Sequence, residues 1–291
     1  CETYGTPGFF NVEFFFQPHQ GKFHTKLCPA PITPKHLIKE IAGERSVISK
    51  EVFLIKQTHS LFRGWLISQT LGFWSAAKLF INIFRPTVSP AMAYSFRHMD
   101  KNATLTIECK DPLKKENGLQ VGFTISEMTE RVERQLRSVG LIQDFAPIIY
   151  IIGHGSSSIN NTYYAGYDCG ACCGRPGSVN ARVICFMANH KAVRTELAKR
   201  GIHIPDSTQF LGGLHDTCRD EINFFDEESL SPENKILHLR NEEIFKKALD
   251  LNAKERSRRL ETVRSHGDAE KVHQRIKRRS VSLFEPRPEY N

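Results

Sequence analysis

The most constraining stretch of the chain is Pro147-Ile148-Ile149-Tyr150-Ile151-Ile152, an apolar run rich in β-branched residues and closed by Gly153. A strand with one face in water alternates polar and apolar residues. This run does not, so it suits a central strand covered on both faces. Upstream, Met128, Val132, Leu136 and Val139 recur at helical intervals, and Gly140 ends the pattern. Downstream, Ser178 is placed to cap a helix running through Arg182, Ile184, Phe186 and Val193 to Arg200, with Gly201 as its stop. Gln209 to Leu214 then reads as a second strand. Strand, long loop, helix and strand make a βαβ unit, which predicts an α/β fold with a parallel β-sheet core and helices on both faces.

At 291 residues the chain has room for one large domain or two ordinary ones. The expected division is an aromatic-rich segment with an apolar helix over 1–125, the βαβ core over 126–226 and a charged helical segment over 227–291. The chain opens on Cys1 rather than Met, which predicts processing or a piece of something longer. Apolar content of 40% and charged content of 25% exclude collagen-like, mucin-like and fully disordered classes. The formal charge of +8 suggests a nucleic-acid or acidic-membrane partner until its distribution is read. From Lys254 to Arg279 there are ten Lys or Arg against four Asp or Glu, an excess of six that leaves two for the remaining chain. The excess belongs to one solvated helical stretch, and no nucleic-acid partner is expected.

The most apolar segment lies between Ser60 and Phe84, where Arg63 and Lys78 bound an uncharged run of 14 residues from Gly64 to Ala77. A spanning helix needs roughly 18 to 20. A buried helix is the ordinary reading, and a helix docking on a membrane or a membrane partner is the sharper one.

Chemistry concentrates in the loops after the first strand. Gly153-His154-Gly155-Ser156-Ser157-Ser158-Ile159-Asn160-Asn161 leaves its carboxyl end, where open α/β sheets bind ligands, and Tyr167-Asp168-Cys169-Gly170-Ala171-Cys172-Cys173-Gly174 follows. Glycines on both sides present the His154 imidazole without neighbouring bulk. Imidazole nitrogen and thiolate sulfur suit zinc, so His154 and Cys169 are candidate metal ligands for Zn2+. A dithiol pair of Cys169 and Cys172, or structural thiols beside a core histidine, are the other readings. Asp168 reads as a carboxylate ligand, a supporting acceptor or a plain loop residue, and His215 with Asp216 ends the second strand near the same cleft. The loop fits neither the G-x-S-x-G elbow nor a phosphate-binding glycine loop. The five other cysteines, Cys1, Cys28, Cys109, Cys185 and Cys218, are scattered, as in a reducing compartment.

These residues resemble the DabA family of inorganic carbon transporter subunits. The resemblance rests on the His154 loop, Asp168-Cys169-Gly170-Ala171-Cys172 and Asn180-Ala181-Arg182. It is extended by Glu2-Thr3-Tyr4-Gly5-Thr6-Pro7-Gly8-Phe9-Phe10, Leu27-Cys28-Pro29, Phe210-Leu211-Gly212-Gly213-Leu214-His215-Asp216-Thr217 and Arg287-Pro288-Glu289-Tyr290. It implies a core like that of β-type carbonic anhydrases, with zinc held by a Cys-x-Asp pair, a His and a second Cys. His154 matches the histidine and Cys169 the second cysteine; the Cys-x-Asp pair has no counterpart, since Cys1 is followed by Glu2 and Thr3. Cys173 stands where the family pattern has glycine. The implied function is zinc-dependent, vectorial hydration of CO2 to bicarbonate. It implies a DabB-type membrane subunit related to proton-translocating complexes, and a peripheral position on the cytoplasmic face of the cell inner membrane. With half of the ligand set, the chain alone is expected to hold zinc weakly and to lack hydration activity. A non-catalytic module binding the membrane partner, or a dithiol or zinc-knuckle protein, is the alternative.

Overall fold

Strands shorter than seven residues build the first sheet of the computed structural model, which describes residues 3–19, 21–41, 61–84, 99, 103–111, 115–157, 168–261 and 263–282. β1 (Phe15–Gln17) pairs antiparallel with β2 (Thr25–Lys26) and parallel with β3 (His36–Ile41). β4 (Thr104–Leu105) lies antiparallel to β3; β5 (Lys115–Glu116) and β6 (Leu119–Val121) form a hairpin whose β6 runs parallel to β3. Between β3 and β4 comes helix α1 (Leu61–Phe84).

α2 (Ile125–Ser138) carries the predicted apolar stripe, burying Met128, Val132 and Leu136. Its start is a capping box: the Thr124 hydroxyl accepts from the Glu127 N–H at 3.3 Å, and the Thr124 N–H donates to the Glu127 carboxylate at 2.8 Å. Strand β7 (Ile148–Gly155) then runs parallel to β8 (Gln209–Asp216), with Tyr150 opposite Leu211 and His154 opposite His215. β9 (Glu221–Phe224) pairs antiparallel with β8, so the second sheet has the order β7-β8-β9. The fold is therefore mixed α/β with mixed sheets rather than a wholly parallel core. The apolar strand is at the sheet edge, not its centre, among the described residues. Its apolar character comes from cover on both faces. Ile149 and Ile151 pack on the main core, whereas Ile148, Tyr150 and Ile152 pack with Leu211, Phe224, Leu230 and Phe245.

The expected single helix after Ser178 is two, α3 (Ser178–Asn189) and α4 (Lys191–Lys199). They break at His190, whose extended backbone (φ −71°, ψ 123°) ends one and begins the other. α3 lies directly on the second sheet, because a Cβ at Gly212 would meet the Arg182 Cα at 3.2 Å. Phe14, Phe16, Ile38, Phe123, Met128, Ile184, Met187 and Leu214 share one core, so both sheets pack on α2 and α3.

α5 (Pro232–Ser257) and α6 (Ala269–Val281) close the described chain. Of their apolar residues, Phe245 reaches Tyr150 and Phe224, Leu260 joins Ala253, Val263 and Ile276, and Ile244 stays exposed. The ordinary reading of the apolar helix fails. α1 exposes Phe73 at 87% and Trp74 at 73%, so it is not a core helix. Among the described residues no helix is long and apolar enough to cross a membrane.

Candidate metal centre

His154 is the penultimate residue of β7. Its carbonyl accepts from the Gly177 N–H at 2.9 Å, and Gly155 next to it accepts from the Thr217 N–H at 2.9 Å. A Cβ at Gly153 would lie 2.4 Å from the Gly177 carbonyl oxygen, so glycine alone lets the strand end meet the start of α3. Two buried carboxylates then hold the departing loop. Asp168 accepts from the Ser156 N–H at 2.9 Å, and Asp216 accepts from the N–H groups of Ser157 (3.3 Å) and Cys218 (3.1 Å) and from the Ser157 hydroxyl. Ser158, Ile159, Asn160, Asn161 and Tyr167 of the motif, like Cys1 and Glu2, lie outside the described residues.

Cys169 precedes a 3-10 turn, Gly170–Cys172, and its carbonyl accepts from the N–H groups of Cys172 and Gly174, both at 3.0 Å. That turn brings two buried thiols together, and the Cys169 side chain is hydrogen-bonded to both Cys172 and His154. Donation from Cys172, followed by the His154 contact, pulls the Cys169 thiol down to about 4 against the effect of burial. Cys172 keeps its proton, for the Cys169 sulfur beside it and burial both push it up, and its sulfur also lies 3.2 Å from the Gly8 carbonyl oxygen. His154 is raised chiefly by its bond to Cys169, and burial pushes Asp168 up to about 6. The result is a thiolate and an imidazole in contact, the thiol buried and the imidazole half-buried.

The structure thus unites His154, Cys169 and Cys172. Asp168 stands behind them as the acceptor for Ser156. His215, although beside His154 in register, has its Nε2 3.6 Å from the Asp220 carboxylate. Among the described residues no cysteine is in a disulfide. The three-donor cluster of His and carboxylate groups lies elsewhere, at Glu227, His238 and Glu242, none of which the motifs single out.

A family model described as "Probable inorganic carbon transporter subunit DabA" matches residues 1–291. The chain belongs to the DabA family. A DabA protein of Azotobacter vinelandii is 60% identical over 291 residues, covering 100% of this chain and 34% of that relative. One of Nitrosospira multiformis is 61% identical over 294 residues, covering 100% and 32%, and one of Sorangium cellulosum is 35% identical over 308 residues, covering 99% and 30%. The chain spans about a third of the length of these curated relatives. No solved structure matches it.

Several stretches that carry the DabA resemblance have physical roles here, while Arg287-Pro288-Glu289-Tyr290 lies outside the described residues. Gly8 abuts the thiols: a Cβ would sit 2.6 Å from the Cys169 sulfur. Asn180 is fully buried and donates to the carbonyls of Val12 and Leu27, both at 3.0 Å, tying α3 to the N-terminal segment. Ala181 faces Gly212 of β8, and Arg182 makes a two-pronged pair with Asp226 at 2.7 and 2.6 Å. Cys173, where the resemblance implies glycine, has φ +57°, the left-handed region that glycine enters without strain.

Proposed function

We propose that this DabA chain forms part of an energy-coupled inorganic carbon pump. In this reading His154 and Cys169 hold zinc for hydration of CO2 to bicarbonate, with the remaining ligands coming from outside the described residues. The observation that carries it is the contact between the Cys169 thiolate and the His154 imidazole at the carboxyl end of β7. The donor chemistry fits: sulfur held deprotonated, ring nitrogen beside it, and carboxylates that fix the loop without occupying the donors. The parallel β7/β8 pair with α3 packed against both strands supports a β-carbonic-anhydrase-like core, with residues 126–226 as the zinc unit.

Zinc bound there would supply Lewis-acid activation of water at neutral pH. The chain's own residues do the rest. Cys172 holds the charge on Cys169 by donating to it. Gly8, Gly153 and Gly177 exclude bulk from the pocket wall, and Asp168 and Asp216 set the path of the Ser156-Ser157 loop. The names of the relatives support a role in carbon transport. A DabB-type membrane subunit at the cytoplasmic face of the inner membrane is the partner this reading requires. The exposed Phe73 and Trp74 of α1 favour that helix as the part that meets it.

The test is zinc content and CO2 hydration of the full-length protein carrying this chain, with Cys169→Ser and His154→Ala. Each substitution is expected to remove the pocket's zinc and lower hydration by at least ~100-fold, the scale of a lost transition-state contact of about 2.7 kcal/mol. Full zinc and full activity in both variants would sink the proposal.

A further inference from the structure

The strand that carries His154 touches a second cluster near its other end. His238, on the second turn of α5, is 4% exposed. Its Nδ1 lies 3.0 Å from the Tyr150 hydroxyl oxygen, which also accepts from the Asn241 side-chain amide at 3.1 Å. Its Nε2 is buried and has no hydrogen-bond partner among the described residues. What faces it instead are two carboxylates, Glu227 with an oxygen at 3.7 Å and Glu242 with one at 4.0 Å. These separations are too long for hydrogen bonds. All three donor atoms lie within 4.8 Å of one another.

A buried ring nitrogen left unsatisfied costs free energy, and two carboxylates this close repel. A cation between the three groups removes both penalties. Bonds of about 2.0–2.2 Å place tetrahedral donors roughly 3.4 Å apart, so the two nitrogen–carboxylate separations of 3.7 and 4.0 Å need close by only about half an ångström. The local structure supplies the rest. His238 and Glu242 are four residues apart on one helix face. Glu227 sits in the 3-10 turn Glu227–Ser229, beside the Asp226 that Arg182 grips. In the tautomer whose Nδ1–H donates to the Tyr150 oxygen, the Nε2 lone pair faces the carboxylates, the arrangement found behind metal-bound histidines. Both carboxylates are part-exposed, which gives an ion a way in from solvent.

We propose that Glu227, His238 and Glu242 form a divalent-cation site of one nitrogen and two oxygens, completed by water, that takes zinc. It shares no residue with the thiol pocket and stands whether or not that pocket binds metal.

The test is equilibrium dialysis of the full chain against Zn2+, with Co2+ as the spectroscopic probe, in a Cys169→Ser/His154→Ala background that removes the thiol pocket. One equivalent of zinc is expected to remain, with a Co2+ spectrum free of thiolate charge-transfer bands. Glu242→Gln, at a side chain 43% exposed and so without consequence for folding, is expected to abolish that equivalent. Tyr150→Phe is expected to weaken it by about 10-fold or more. Absence of zinc from the background variant, or zinc held equally tightly after Glu242→Gln, would overturn the proposal.

Discussion

Cys173 is in the left-handed region, which costs a residue with a Cβ roughly 1–2 kcal/mol, while a glycine gives back about 0.5–1 kcal/mol through its freer unfolded state. Cys173→Gly is therefore expected to stabilise the chain by about 0.5–1 kcal/mol, read as a higher urea midpoint with unchanged slope. An unchanged or lower midpoint would show that Cys173 makes a compensating contact. His154 and Cys169 were legible as a pair, because glycines around an imidazole and a following thiol are chemistry written locally. The roles of Asp168 and His215 were not. Which of them faces a metal depends on how the loop folds back, and Asp168 accepts a backbone N–H that no spacing rule reveals. The cluster of Glu227, His238 and Glu242 escaped for a similar reason: its key contact comes from Tyr150, 88 residues away from His238.

At the scale of elements, the start of α2 carries a pH dependence. Glu127 is pulled down to about 2: burial opposes ionisation, but the Thr124 N–H, His36, Gln120 and the Thr124 hydroxyl outweigh it. A carboxyl depressed in the folded state stabilises above its unfolded value near 4.5, and that stabilisation is lost as pH falls toward 2. Burial lowers His36, with Arg131 adding to it and Glu127 and Glu13 opposing, so His36 favours folding above about 6.5 and disfavours it below. Both slopes have the same sign, and stability is expected to decline in two steps on acidification, the first below pH 6.5 and the second below 4.5. Thr124→Ala should cost about 1 kcal/mol at neutral pH and flatten the second step, measured by urea denaturation across the range. A second step of full size in that variant would assign it to other carboxylates. The α2 stripe was readable from periodicity, β7 from its unbroken apolar run, and the tail from its charge. The break at His190 was not, since nothing in His190-Lys191 breaks a helix by propensity. The exposure of α1 was not either, because apolar content alone does not say what covers it.

Across the whole molecule, the main core draws on the N-terminal strands, α2, α3 and the second sheet together. No sequence pattern announced that union; it is made by contacts such as Asn180 reaching Val12 and Leu27 across more than 150 residues. The strand β7 was correctly read as covered on both faces and incorrectly as central, because face cover and edge pairing are separate properties and only the first shapes residue choice. Its placement bears on exchange with solvent. The bonds to Gly155 from Thr217 and to Pro147 from Gln209 show that odd-numbered residues of β7 turn their peptide groups toward β8, while His154 turns its carbonyl the other way, toward Gly177. Deuterium should therefore enter β7 with a period of two residues, quickly at Tyr150 and Ile152 and slowly at Ile149, Ile151 and Gly153. Protection appearing at the two even positions in the longer protein would register another strand laid along this margin, directly beside the histidine it carries.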